Sequence, residues 1–148
     1  MKIPGLALLS LLMLAGSCAT EQAYQQAPAP PPGHGLVYLY RIDTWPVSRM
    51  DAHFSIKGKR IAALWANTYT WVHLPEGSHV LEQVWDTRHA PPAHRREFSA
   101  VHGSARYLRL NVEQGTLQMK WNVVEVPAAE AAAQIAKLSY RPAPAAPH

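Results

Sequence analysis

One stretch limits what this chain can fold into more than any other. Tyr69-Thr70-Trp71-Val72-His73-Leu74 and His79-Val80-Leu81-Glu82-Gln83-Val84-Trp85 are both rich in β-branched and aromatic residues, and Pro75-Glu76-Gly77-Ser78 joins them. Such side chains fit a pleated, half-buried surface, and Pro and Gly are the strongest turn formers. The spacing predicts a β-hairpin from Tyr69 to Asp86, with the remaining strands laid around it.

Those strands follow from local patterns. Leu36 to Arg41 places Tyr38 and Tyr40 on one face and Val37 and Leu39 on the other, so both faces are apolar and the strand is central. His53 to Ile56 and Arg60 to Leu64 flank Lys57-Gly58-Lys59, a tight turn in which Gly supplies the positive φ. Arg96 to Ala100 reads as a weaker strand. In Arg106 to Val112 the residues Leu108, Leu110 and Val112 point inward, and in Leu117 to Val124 the residues Leu117, Met119, Trp121 and Val123 share one side. Short strands at this spacing imply an antiparallel β-sandwich. Pro127 suits a first helical position, Glu130 suits the positive helix N-terminus, and Ala131, Ile135 and Leu138 recur at helical spacing, predicting one helix over 127–140 that covers a sheet edge.

The ends differ in character. Met1-Lys2 and the apolar run from Leu6 to Leu14 read as a signal peptide over 1–17, too short to span a bilayer, which needs about 20 apolar residues. The chain's single Cys, Cys18, directly follows Leu14-Ala15-Gly16-Ser17, so it resembles the acylated Cys of a bacterial lipoprotein, although Ala15 stands where that motif usually has Leu. The plain alternative is cleavage near Ala19, with Cys18 removed. By the same resemblance, Ala19 after the Cys, rather than Asp, favours the outer membrane if the cell is Gram-negative. Residues 18–35 are Gln- and Pro-rich and read as an extended tether that holds the domain off the bilayer. The sandwich then covers 36–126, and 141–148 reads as a disordered Pro-rich tail.

The chain has 148 residues, enough for one domain, and its 48% apolar content with five Trp marks it as globular. A formal charge of +4 is mild. It is compatible with anionic lipid or polysaccharide, but solubility alone accounts for it. Dispersed positive charge and an export signal argue against nucleic acid.

Five segments together resemble a known pattern: Gly35-Leu36-Val37-Tyr38-Leu39-Tyr40-Arg41, Lys57-Gly58-Lys59, Asn67-Thr68-Tyr69, Leu74-Pro75-Glu76-Gly77-Ser78-His79 and Gly103-Ser104-Ala105-Arg106-Tyr107-Leu108-Arg109. The chain is similar over about Gly35 to Tyr140 to the small bacterial lipoprotein family catalogued as domain of unknown function 2846. The resemblance implies a transthyretin-like or carboxypeptidase-regulatory-like sandwich and carries no catalytic residues. The chain departs from that pattern at His89-Ala90-Pro91-Pro92-Ala93-His94. The expected fold is mainly β: an antiparallel immunoglobulin- or transthyretin-like sandwich of about seven or eight strands with one short C-terminal helix.

Candidate chemistry is sparse. There is no Gly-x-Ser-x-Gly elbow, and the one Cys lies outside the domain. Eight His invite a metal, yet none shows ligand spacing. His73 and His79 face each other only if the hairpin loop is three residues long, and His89 and His94 share one loop. Glu82 and Glu97 suit surface ion pairs with neighbours such as Arg109. Gly33-His34-Gly35 precedes a strand, so it is no nucleotide loop. No cofactor, no metal site and no catalytic residue is expected.

Alternating strand directions point to one surface. Counted from the tether, loops 57–59, 75–78 and 101–104 fall at the membrane-proximal end, and loops 42–52, 65–68, 87–95 and 113–115 fall at the far end. The far end collects Trp45, Arg49, Trp65, Arg88, His89, His94 and Arg95. Trp and Arg are enriched in binding hot spots, and long loops on a rigid scaffold carry function. The expectation is therefore a lipid-anchored envelope protein facing the periplasm and acting by binding, its ligand classes being another envelope protein, peptidoglycan or a glycolipid. Equally, Trp45 and Trp65 suit folding back to cap the sandwich. The runner-up is an envelope enzyme acting on cell-wall or lipid substrates, which requires His and carboxylates converging in a concave pocket.

Overall fold

The two arms of the aromatic stretch are both strands, and they lie in different sheets. The computed structural model describes residues 24–88 and 92–144; the apolar leader, Cys18, His89 and the last four residues fall outside them. In chain order the strands are β1 (His34–Arg41), β2 (Ala52–Ile56), β3 (Lys59–Leu64), β4 (Thr68–Pro75), β5 (Gly77–Trp85), β6 (His94–Ala100), β7 (Ala105–Gln114), β8 (Met119–Glu125) and β9 (Ser139–Tyr140), with helix α1 (Ala128–Ile135) before the last. They form a sheet of order β8-β7-β1-β4-β9 and a second of order β3-β2-β5-β6. The protein is thus a mainly β, two-sheet sandwich with one short C-terminal helix.

The expected hairpin from Tyr69 to Asp86 is instead an arch. β4 pairs with β1, Val37 opposite Val72 and Leu39 opposite Thr70, whereas β5 pairs with β2 and β6. Only Glu76 separates the two strands, and Gly77 at φ 129° carries the chain between sheets. That φ favours glycine. Leu74 and Leu81 consequently enter one core from opposite sides. A Pro-x-Gly turn between strand-forming runs looks the same for a hairpin and an arch. What decides is β1, central in its sheet as its two apolar faces require, which takes β4 as its partner.

The Lys57-Gly58 turn does close a hairpin. Ile56 pairs with Lys59, and both intervening residues have positive φ, 51° and 75°, the pattern of a type I′ turn. The four-stranded sheet is antiparallel throughout, while the five-stranded sheet contains two parallel pairs, β1 with β7 and β4 with β9. The β1–β7 pairing arises because the chain visits the other sheet between them.

Two clusters are buried. Between the sheets lie Val37, Leu39, Phe54, Leu64, Leu81, Trp85, Leu108 and Leu110 among others. On the outer face of the five-stranded sheet, Tyr38, Tyr40 and Tyr69 lie under Val126, Ala131, Ile135 and Leu138. Leu108, Leu110, Met119, Trp121 and Val123 face inward as their alternation predicts. Leu117 does not: it sits in the β7–β8 turn, closed by Gly115 N–H donating to Gln118 O, and is 95% exposed.

Residues 24–33, expected to stand free as a spacer, lie along that outer face. Tyr24 stacks on Tyr69 with ring centroids 6.0 Å apart, and Gln25 N–H donates to the Tyr69 hydroxyl, which donates in turn to Gln25 O. Ala27 N–H donates to the Tyr38 hydroxyl, His73 contacts Pro28 O, and Glu76 N–H donates to Gly33 O. The start of the expected tail is held too, with Arg141 N–H donating to Tyr69 O at 2.8 Å.

Candidate functional site

The strand register sorts the loops into two ends. Arg41 lies opposite Thr68, and Ala52 lies opposite Leu64 and Trp85, so segments 42–51, 65–67, 86–93 and 115–118 share one end. The turns at 57–58, 76 and 101–104 share the other. The first is called the long-loop end below.

Its longest loop is pinned from beneath by a buried cation. Arg41 follows Val37 and Leu39 on the inward face of β1 and is 0% exposed. One terminal nitrogen donates to the carbonyl oxygens of Met50 and Leu64, the other donates to Val47 O, and the guanidinium carbon lies 5.0 Å from the Trp85 ring centre. Burial pulls its pKa below the ordinary arginine value, with Asp43 and Asp51 opposing the shift. Arginine nevertheless stays charged at neutral pH. Its job here is to hold loop backbone: a planar fork satisfies carbonyls from two separate segments, 42–51 and β3. Val47, 0% exposed, plugs the core below the loop. Asp43 N–H donates to Asn67 Oδ1, tying this loop to its neighbour at 65–67.

On this rigid base the candidate residues fall as follows. Trp45 is 71% exposed, and Arg49 and Arg88 are exposed. Val47 and Arg41 fill the core end instead, so Trp45 does not fold back as a cap. Trp65 is 52% exposed, with the Arg141 guanidinium 4.0 Å above its ring. His94 is half-buried and opens β6 opposite Gln83, so it belongs to the ladder more than to the loop. His89 lies outside the described residues. A cleft of about 550 Å³ at the same end is lined by Ile42, Ala66, Asn67, Lys137, Leu138 and Ser139.

Other sequence-level pairings resolve differently. His73 and His79 sit in separate sheets, their Nε2 atoms against Pro28 O and Pro75 O. Glu82 does form a surface ion pair, 2.9 Å from Arg95 rather than with Arg109. Arg109 reaches Glu130 and Gln134 of α1 instead. Among the described residues no three His, Cys, Asp or Glu converge on a point.

Two contributors escaped the sequence reading. Arg41 was legible in principle, since every second residue of a strand shares a face and Val37 and Leu39 already face inward. The folding-back of residues 24–33 had no local signal beyond the surplus of Tyr on one face of β1. No protein-family model and no curated protein matches the chain.

Proposed function

We propose that this is a lipid-anchored protein of the bacterial cell envelope, held through Cys18, that works by binding with the long-loop end of its sandwich. The observation that carries the reading is the contrast at that end. Arg41, Val47 and Asn67 immobilise the loop backbones, while Trp45, Arg49 and Arg88 are left in solvent. A rigid scaffold that leaves a large aromatic side chain exposed offers contact area at little ordering cost. Trp and Arg are the side chains most enriched where such contacts dominate affinity. The apolar leader ending in Leu14-Ala15-Gly16-Ser17-Cys18 supports anchorage, and several acyl chains at about 0.8 kcal/mol per buried methylene hold a protein durably. By the same resemblance, Ala19 after the Cys supports placement in the outer membrane of a Gram-negative cell.

Cell fractionation tests the anchor: Cys18→Ser moves the protein to the soluble periplasmic fraction, and retention in the membrane refutes it. Photo-crosslinkers at Trp45, Arg49 and Arg88 test the surface. They capture a common neighbour that a crosslinker at Lys57, in the β2–β3 turn, does not. Equal capture from both ends rules out the long-loop end as the binding surface.

A further inference from the structure

The direction of the docked arm reverses the orientation that a free tether implies. Tyr24 sits at the level of Tyr69, the second residue of β4, and Tyr69 pairs with Tyr40, next to the end of β1. Pro28 sits at the level of His73, and Gly33 reaches Glu76 and His102 at the opposite end. The chain therefore arrives at the long-loop end, runs down the outer face and only then starts β1. We propose that the long-loop end lies against the bilayer that carries the anchor, with Trp45, Trp65 and Leu117 at the lipid headgroup level, so that the neighbour this end binds is the membrane surface itself. This rests on Cys18 being the acylated residue.

Two independent features support it. The first is reach. From position 18 to position 24 is six residues, which extend at most about 20 Å. From the level of Tyr40 to His34 at the short-loop end is six strand residues, also about 20 Å. With the arm docked, the anchor attaches at the long-loop end and comes level with the short-loop end only if that segment doubles back fully extended. The second is surface chemistry. Of the exposed large apolar side chains, Tyr24, Ile42, Trp45, Trp65 and Leu117 cluster at this end, while Val80 and Val101 lie elsewhere. Trp is the side chain most at home in the bilayer interface, its ring amphipathic and its N–H available to water or headgroups. The charges there are mixed, with a small positive excess: Arg49, Arg88, Lys120, Lys137 and Arg141 stand among Asp43, Asp51, Asp86 and Glu113. Apolar and aromatic insertion, not attraction to anionic lipid, holds the face down.

The test uses the full acylated protein in phosphatidylcholine vesicles whose acyl chains carry bromine. An environment-sensitive fluorophore is attached at Leu117→Cys or, in a second preparation, at Lys57→Cys, and acylation of Cys18 is read by mass spectrometry in both. The fluorophore at 117 loses its emission to bromine and the one at 57 keeps it. Adding Trp45→Ser to the first preparation reduces that loss without changing acylation. An unquenched probe at 117 on a protein whose Cys18 is acylated overturns the orientation and leaves anchorage standing, as does quenching at 57 in its place. An unacylated Cys18 overturns both. Quenching at 117 that needs added phosphatidylglycerol overturns the apolar contact in favour of an electrostatic one.

Discussion

The two outer faces of the sandwich are built on opposite principles. The four-stranded sheet shows solvent a simple alternation: Ser55, Val80, Glu82, Arg95, Glu97 and Ser99 point out while Phe54, Leu81, Gln83 and Phe98 point in. The five-stranded sheet is apolar on both sides, and its outer aromatic layer of Tyr38, Tyr40, Tyr69 and Trp71 is roofed by α1 and by residues 24–28. One face is finished by its own side chains, whereas the other needs chain from both ends of the protein. The lesson is that a strand apolar on both faces demands a third layer, whatever supplies it.

Taking out the roof has the largest effect. Ile135→Ala removes the most buried large side chain of α1, 2% exposed, and lowers unfolding free energy by about 2–5 kcal/mol in chemical denaturation. A loss below about 0.5 kcal/mol shows that the helix is ornament rather than cover.

Alkaline pH probes the same face. Burial pushes the phenols of Tyr38, Tyr40, Tyr69 and Tyr140 above their ordinary value of 10.0. The folded state then holds these protons more tightly than the unfolded chain. The resulting stability is whole below about pH 10 and is lost as pH rises through the folded-state values. Melting temperature falls across that range, and the double change Tyr38→Phe with Tyr69→Phe flattens the fall. No difference between that variant and the parent separates the aromatic layer from alkaline unfolding.

A smaller effect isolates the arm. Tyr69→Phe deletes a hydroxyl that both accepts from Gln25 N–H and donates to Gln25 O, costing about 1 kcal/mol. Protease cutting between Tyr24 and Gly33 becomes faster while the sandwich itself stays resistant. On the opposite face the change is smallest: Glu82→Gln breaks the exposed pair with Arg95 and shifts stability by under about 0.5 kcal/mol. A larger shift there erases the contrast between the faces.

The first eight strands, the Lys57-Gly58 turn, the centrality of β1 and the existence of a short helix were legible, because propensity, periodicity and turn chemistry are properties of a few neighbouring residues. The helix expected over 127–140 to cover a sheet edge instead ends at Ile135 and roofs the tyrosine face, and Ser139–Tyr140 pairs with β4 as a ninth strand. The alternation of loops between two ends was legible for the same reason, and with it the cluster of Trp45, Arg49, Trp65 and Arg88. Leu117 was misplaced because its apolar character matched the period of a strand that starts two residues later, at Met119.

Partnership was decided only in three dimensions. Nothing near Pro75-Glu76-Gly77 distinguishes a hairpin from an arch, and nothing in Gln25 to Pro32 marks it as a strip that lies on tyrosines rather than a loose spacer. Both outcomes are competitions between segments far apart in the chain, Tyr69 bonding Gln25 across 44 positions and β4 choosing β1 over β5. A local pattern states which surfaces must be buried. Only the packed structure, in which every such surface is satisfied at once, states by what.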